Sequence, residues 1–163
     1  MNERKQKIVT YAGMWLAAIA GSIYGIIFAI VGYLINWNHC GALEGPFWKV
    51  MVIGILSTLI GAYIGELVVR KRAQKIFADR LKIQAPTSKL FVIVFLGCIV
   101  AFVGSWEAGY VFGKLLGIFH ELNWGEILID IPLISLIHAI PISLVISIFY
   151  SVFVFTYLKV GEK

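Results

Sequence analysis

The chain has 163 residues, of which 60% are hydrophobic and only 14% are charged. Soluble domains contain about 45–50% apolar and about 25% charged residues, so this composition is typical of a protein solvated by lipid. The formal net charge is +5, but the basic residues flank apolar stretches, and we expect no nucleic-acid partner. The sequence therefore predicts an integral membrane protein surrounded by the lipid bilayer.

Four apolar stretches follow one another along the chain, and each is long enough to cross the hydrocarbon core as a helix. They lack the alternation of apolar and polar residues that barrel strands have, so helices are predicted. The predicted fold class is an all-α membrane protein with a single integral membrane domain over residues 1–163. The predicted spans are 11–35, 47–69, 90–115 and 131–158.

The lysine and arginine residues predict the orientation of these spans. Of the 14, 12 lie before the first span, in the linker 70–89 or after the fourth span. The positive-inside rule then places both termini and this linker in the cytoplasm, with two antiparallel hairpins in the inner (plasma) membrane. The linker is expected to meet anionic lipid headgroups, and a solvated loop is the alternative.

Glycine residues recur on the first two spans with mirrored spacing. In an antiparallel hairpin centred near Leu43, each of these glycines faces a glycine of the other span, with Gly21 opposite Gly65. Because glycine lets two backbones approach closely in lipid, we expect tight helix packing here. A chance distribution is the alternative, since glycine is common in membrane helices. The glycines are Gly21, Gly25 and Gly32 in the first span and Gly54, Gly61 and Gly65 in the second.

The third and fourth spans carry stripes of small residues as well. Small residues about one helical turn apart form a groove that a neighbouring helix can enter, so we expect packing surfaces. A hydrophilic pathway along the serine hydroxyls is the alternative. The stripes are Gly97, Ala101, Gly104 and Ala108 in the third span, and Ser135, Ala139, Ser143, Ser147 and Ser151 in the fourth.

Two ionisable residues lie inside the second predicted hairpin, Glu107 in the third span and His138 in the fourth. An ionised carboxylate in the membrane costs several kcal/mol, so it faces a partner, a cavity or the bundle interior. Hairpin geometry puts His138 at a depth similar to that of Glu107, and such a pair can hold a proton or a divalent cation. Glu107 and His138 are therefore the candidate binding site. Structural packing, or pairing of Glu107 with Lys114, is the alternative.

The sequence contains no P-loop, dinucleotide fingerprint, HExxH or GxSxG motif, so we expect neither an enzyme nor a bound cofactor. The leading hypothesis is a homo-oligomeric transporter or channel subunit that moves a proton, a cation or a small solute. Oligomers are expected because four helices enclose little volume alone. The alternative is a non-catalytic accessory or assembly subunit that binds other membrane subunits, and a small membrane enzyme ranks last.

Overall fold

The computed structural model describes residues 3–37, 47–78, 87–119 and 122–160. These segments form four long α-helices, with a π-helical turn at Glu126–Asp130 leading directly into the last one. All four helices are long and apolar enough to cross a membrane. The described part is thus all-helical, as the composition predicts, with four candidate membrane spans. The helices are α1 (Glu3–Trp37), α2 (Phe47–Ala78), α3 (Thr87–Leu115) and α4 (Ile131–Val160).

Helix α2 continues beyond Val69, where the second span is predicted to end, and reaches Ala78. Its basic extension is exposed, and an ion pair one turn apart supports it, with Arg70 Nη1 at 3.5 Å from Glu66 Oε1. The first half of the 70–89 linker is therefore helical, while residues 79–86 lie outside the described part.

One end of the bundle carries most of the described positive charge. Here α1 begins, α2 ends and α3 begins, as two cavities shared between these segments show. We call this the basic end, defined by Arg4, Lys5, Lys7, the segment Arg70–Lys75 and Lys89.

Helices α1 and α3 form the centre of the bundle. Each contacts the other three helices, whereas α2 and α4 make no contact with each other in the described part. Ser105 of α3 donates a hydrogen bond to the carbonyl oxygen of Ser57 in α2, at 2.9 Å. Helix α4 packs mainly on α3, and its tie to α1 includes the hydroxyl of Tyr150, which donates to the carbonyl oxygen of Val9 at 3.1 Å.

The glycines of α1 and α2 lie where these two helices cross most closely. Gly21 sits against Gly61, such that a Cβ on either residue would overlap the carbonyl group of the other. A Cβ on Gly65 would lie 2.6 Å from the carbonyl oxygen of Ala17, and one on Gly25 would lie 2.6 Å from that of Gly54. Gly32 belongs to α1 but lies outside the residues whose surroundings are described.

This register differs from the predicted one by a helical turn, since Gly21 faces Gly61 instead of Gly65. The row of α1 that meets α2 includes Ala17 as well as Gly21 and Gly25, each four residues from the next. Alanine is small enough to serve in such a contact, so a glycine need not face a glycine.

Two glycines of α2, Gly61 and Gly65, also pack closely against α3. A Cβ on Gly61 would lie 2.6 Å from Cβ of Ser105, and a Cβ on Gly65 would lie 2.9 Å from Cβ of Ala101. The close approach thus joins three helices, α1, α2 and α3.

The small-residue stripes of α3 and α4 face different neighbours. On α3, a Cβ on Gly104 would lie 2.8 Å from Cδ1 of Ile64, so this stripe faces α2. On α4, the small residues are buried while large apolar residues cover the opposite side. The hydroxyls of Ser143 and Ser147 have no hydrogen-bond partner within the described residues. The fully buried small residues of α4 are Ser135, Ala139, Ser143 and Ser147.

Candidate functional site

Glu107 lies on α3, eight residues before its last residue, Leu115. At about 1.5 Å per residue, this places it about 12 Å inside the end of the helix. Both carboxylate oxygens are buried, and neither accepts a hydrogen bond from any described residue, Lys114 included. A carboxylate without a hydrogen-bond partner is costly in a membrane span whenever it is ionised.

His138 lies at the level of Glu107 but on the exposed side of α4. Its Nδ1 is 3.0 Å from the carbonyl oxygen of Ile134, one turn earlier in the same helix. Its ring lies beside that of Trp106, with 5.4 Å between the ring centroids. Among the described residues no hydrogen bond joins His138 to Glu107. The structure thus brings the two predicted site residues to one depth without joining them.

An aromatic cluster determines which way this part of α3 is turned. The Trp106 ring stacks on that of Tyr24 in α1, with centroids 4.4 Å apart and planes at 16°. Phe102 lies one turn earlier, 5.7 Å from Trp106 between centroids. Successive helical residues point about 100° apart, so a Trp106 held between α1 and His138 turns Glu107 away from both. The hairpin symmetry of the sequence predicts only the depth of Glu107 and His138 in the membrane. It contains no information about the rotation of α3 about its axis.

The face of α3 that carries Glu107 also carries exposed apolar residues. Leu96 and Val100 are each 44% exposed. Glu107 follows Val100 by seven residues, which is close to two turns, and therefore continues the same face. Since α2 and α4 do not touch each other within the described segments, we call the open surface of α3 formed by Leu96 and Val100, which continues toward the half-buried Glu107, the α3 face.

The described residues contain no group of three or more His, Cys, Asp or Glu side chains placed to hold a metal ion. No protein-family model, curated protein or solved structure matches the chain. The chemistry of Glu107 is therefore the main indication of function.

The bundle end opposite the basic end is closed by the turn that follows α3. Lys49 of α2 donates a hydrogen bond from Nζ to the carbonyl oxygen of Leu116, at 2.8 Å. Ile53, fully buried, belongs to the same cluster as Ile118. The Lys49 bond joins the start of α2 to the turn after α3, a contact that the sequence pattern does not predict.

Proposed function

We propose that this small integral membrane protein is a transporter or channel subunit in which Glu107 binds the transported proton or cation. The supporting observation is the carboxylate itself, which lies on a candidate membrane span with both oxygens buried and no hydrogen-bond donor among the described residues. Intramembrane carboxylates of this kind mark ion and proton pathways, because burial makes a protonated or cation-bound form favourable.

The α3 face gives Glu107 a route to a partner. Leu96 and Val100 are exposed on the same side of α3, and neither α2 nor α4 covers the whole of that side. A second copy of the chain packed on this face would extend the protein around the buried carboxylate into a protein-lined path between protomers. This geometry favours a homo-oligomer with the path between protomers.

The proposed topology has two antiparallel hairpins with both termini in the cytoplasm and the basic end on that side. Glu107 then belongs to the half of its span nearer the outer surface. A proton or cation could reach it over a short distance from outside, and a change of protomer packing would open the longer route inward. His138, which is exposed on α4, belongs to this proposal as a second candidate that loads or releases a proton.

Ion flux into proteoliposomes tests the role of Glu107. A proton-sensitive dye inside the vesicles and separate K⁺, Na⁺ and tetraphenylphosphonium gradients define what the wild-type chain moves. Glu107→Gln retains the size of the side chain but removes its charge, so we expect the flux to fall at least about tenfold. Glu66→Gln is the matched control, because Glu66 is half-exposed and its ion pair with Arg70 is near the basic end; its flux should equal wild type.

Two results would contradict this proposal. Unchanged flux in Glu107→Gln, with normal folding, would exclude the carboxylate as the ion site. If the wild-type chain moves none of these ions and purifies in a fixed ratio with other membrane proteins, it is an accessory subunit instead. The effect of His138→Gln, measured in the same assay, shows whether the histidine takes part.

A further inference from the structure

The basic end holds a cavity of about 440 Å³ between the end of α2 and the start of α3. Small-ligand sites in proteins typically have volumes of about 300–1,000 Å³. Three cationic side chains and one hydroxyl line this cavity, and the rest of its lining is apolar. The polar residues are Arg72, Lys75, Lys89 and Ser88, and the apolar ones are Ile76, Val92 and Ile93.

A neighbouring cavity of about 400 Å³, between the start of α1 and the end of α2, provides a comparison. There the cations have carboxylate partners, with Lys7 Nζ 2.7 Å from Glu3 Oε1 and Arg70 paired with Glu66. In the cavity between α2 and α3, by contrast, no ion pair to a carboxylate of the described segments neutralises the three cations. Because these three cations are not neutralised by a described carboxylate, the cavity between α2 and α3 has a concentrated positive charge that attracts anions.

An exposed apolar surface leads away from this cavity along α3. Val92 lines the cavity, and Leu96 and Val100 follow at intervals of one turn, with exposed fractions of 48%, 44% and 44%. The distance from Val92 to Val100 along the helix is about 12 Å. The hydrocarbon of one bilayer leaflet is about 15 Å deep. A ligand with an anionic head and an apolar chain would therefore match both surfaces.

We propose that this cavity binds the phosphate-bearing headgroup of an anionic phospholipid, whose acyl chain lies along Val92, Leu96 and Val100. The planar guanidinium of Arg72 is suited to contact two phosphate oxygens at once, and the lysines add point charges. A soluble phosphate would use the same cations but would gain nothing from the apolar surface. The inference does not depend on ion transport, because the cations that hold the headgroup lie at the other end of α3 from Glu107. Where a second copy packs on the α3 face, the acyl chain lies between the two copies.

Native mass spectrometry of the detergent-purified chain tests this site. The probes are dioleoylphosphatidylglycerol, dioleoylphosphatidylcholine and inorganic phosphate, titrated separately. The test variant replaces the three cations of the cavity with glutamine, and the control replaces three other cations of the basic end. The variants are Arg72→Gln/Lys75→Gln/Lys89→Gln and, with the same numbers of arginines and lysines removed, Lys5→Gln/Arg70→Gln/Lys71→Gln.

Each basic residue near an anionic lipid surface contributes roughly fivefold in affinity, so the test variant should bind phosphatidylglycerol about 100-fold more weakly. The control should bind within about threefold of wild type. Phosphatidylcholine should bind at least about tenfold more weakly than phosphatidylglycerol to the wild-type chain. Leu96→Gln should weaken phosphatidylglycerol binding while leaving any binding of inorganic phosphate unchanged.

Three results would overturn the assignment. An equal loss in both triple variants would indicate a diffuse charge effect, and equal binding of the two lipids would exclude headgroup recognition. Displacement of the lipid by millimolar inorganic phosphate would identify a soluble anion as the ligand. Should the triple variant fail to fold, the single variant Arg72→Gln replaces it, with an expected loss of about fivefold and with wild-type affinity as the contradicting result.

Discussion

Glu107 and Trp106 show how much depends on the direction of a single side chain. Trp106 stacks on Tyr24 and lies beside His138, which makes it part of the contact among α1, α3 and α4. Glu107, the next residue, points about 100° away and retains two buried oxygens without a hydrogen bond. An aromatic residue thus holds the orientation of the helix, while its neighbour carries the carboxyl group that has no hydrogen-bond partner among the described residues.

Tyr150 joins two helices that otherwise contact each other little. Its buried hydroxyl donates to the carbonyl oxygen of Val9 at 3.1 Å. Tyr150→Phe keeps the ring but leaves that carbonyl oxygen without the bond, so the free energy of unfolding should fall by about 0.5–1.5 kcal/mol. Reversible unfolding in mixed micelles measures this change. Tyr63→Phe is the control, because Tyr63 is 65% exposed, and a loss equal to that of Tyr150→Phe would contradict the assigned hydrogen bond.

Gly117 ends α3 with a backbone conformation that other residues adopt at a cost. Its φ is 70°, and Ile118 N–H donates to the carbonyl oxygen of Gly113 at 2.8 Å, closing the end of the helix. Gly117→Ala should lower the free energy of unfolding by about 1–2 kcal/mol, because a Cβ is disfavoured at positive φ. Gly125→Ala, at φ −64° and with its added Cβ 3.1 Å from Oδ1 of Asn123, should lower it by less. Similar losses in both variants would show that φ at Gly117 is not the cause.

At the scale of the helices, the row of small residues on α1 explains the register better than glycine matching does. Ala17, Gly21 and Gly25 are four residues apart and all meet α2. A helix contact requires small residues on one ridge, and alanine satisfies this nearly as well as glycine. The opposing glycines of α2 are therefore free to meet an alanine of α1 and, on another side, residues of α3.

This packing predicts that glycine substitutions differ sharply in cost. A Cβ on Gly61 would collide with the backbone of Gly21 and lie 2.6 Å from Cβ of Ser105. Because backbone cannot yield, Gly61→Ala should lower the free energy of unfolding by about 2–3 kcal/mol. At Gly104 the nearest atom is the flexible end of Ile64, at 2.8 Å, so Gly104→Ala should cost less than about 1 kcal/mol. Unfolding in mixed micelles compares the two, and equal costs would contradict the close contact of α1, α2 and α3.

The four helices are predictable from the sequence, but not all of the contacts between them are. Hydrophobic length predicts four helices, because a bilayer-spanning segment must satisfy its own backbone hydrogen bonds. Depth also follows from hairpin symmetry, which is why His138 is found near the level of Glu107. Rotation of each helix about its axis depends on side-chain packing such as that of Trp106, and a pattern of small residues leaves one-turn shifts such as Ala17 with Gly65 undecided.

The described part of the molecule is organised around α1 and α3, each of which contacts the three other helices. Helix α4 is attached on the outside, and Ile137 and Phe149 are each 69% exposed on its outer side. In a bilayer this surface faces lipid or other chains without cost, because lipid is as apolar as these side chains. Together with the open α3 face, it leaves two sides of the bundle on which a second protomer can pack.

Topology is the prediction that belongs to the molecule as a whole. Of the 14 lysines and arginines, 12 lie before the first span, in the linker 70–89 or after the last span, and positive charge resists transfer across the membrane during insertion. The basic end should therefore be cytoplasmic. Trp124, in the segment before α4, is 47% exposed at the opposite end.

A membrane-impermeant maleimide can read this topology in intact cells. In a background with both native cysteines replaced by alanine, Trp124→Cys should be labelled from outside, whereas Lys71→Cys should be labelled only after lysis. The reverse pattern would invert the orientation, and labelling of both from one side would exclude passage of α3 through the membrane, because α3 is the only one of the four long helices between the two positions. The orientation also determines which side of the membrane lies nearer Glu107, because α3 is asymmetric: about 12 Å of helix separates Glu107 from the end at Leu115, and about 27 Å separates it from Lys89.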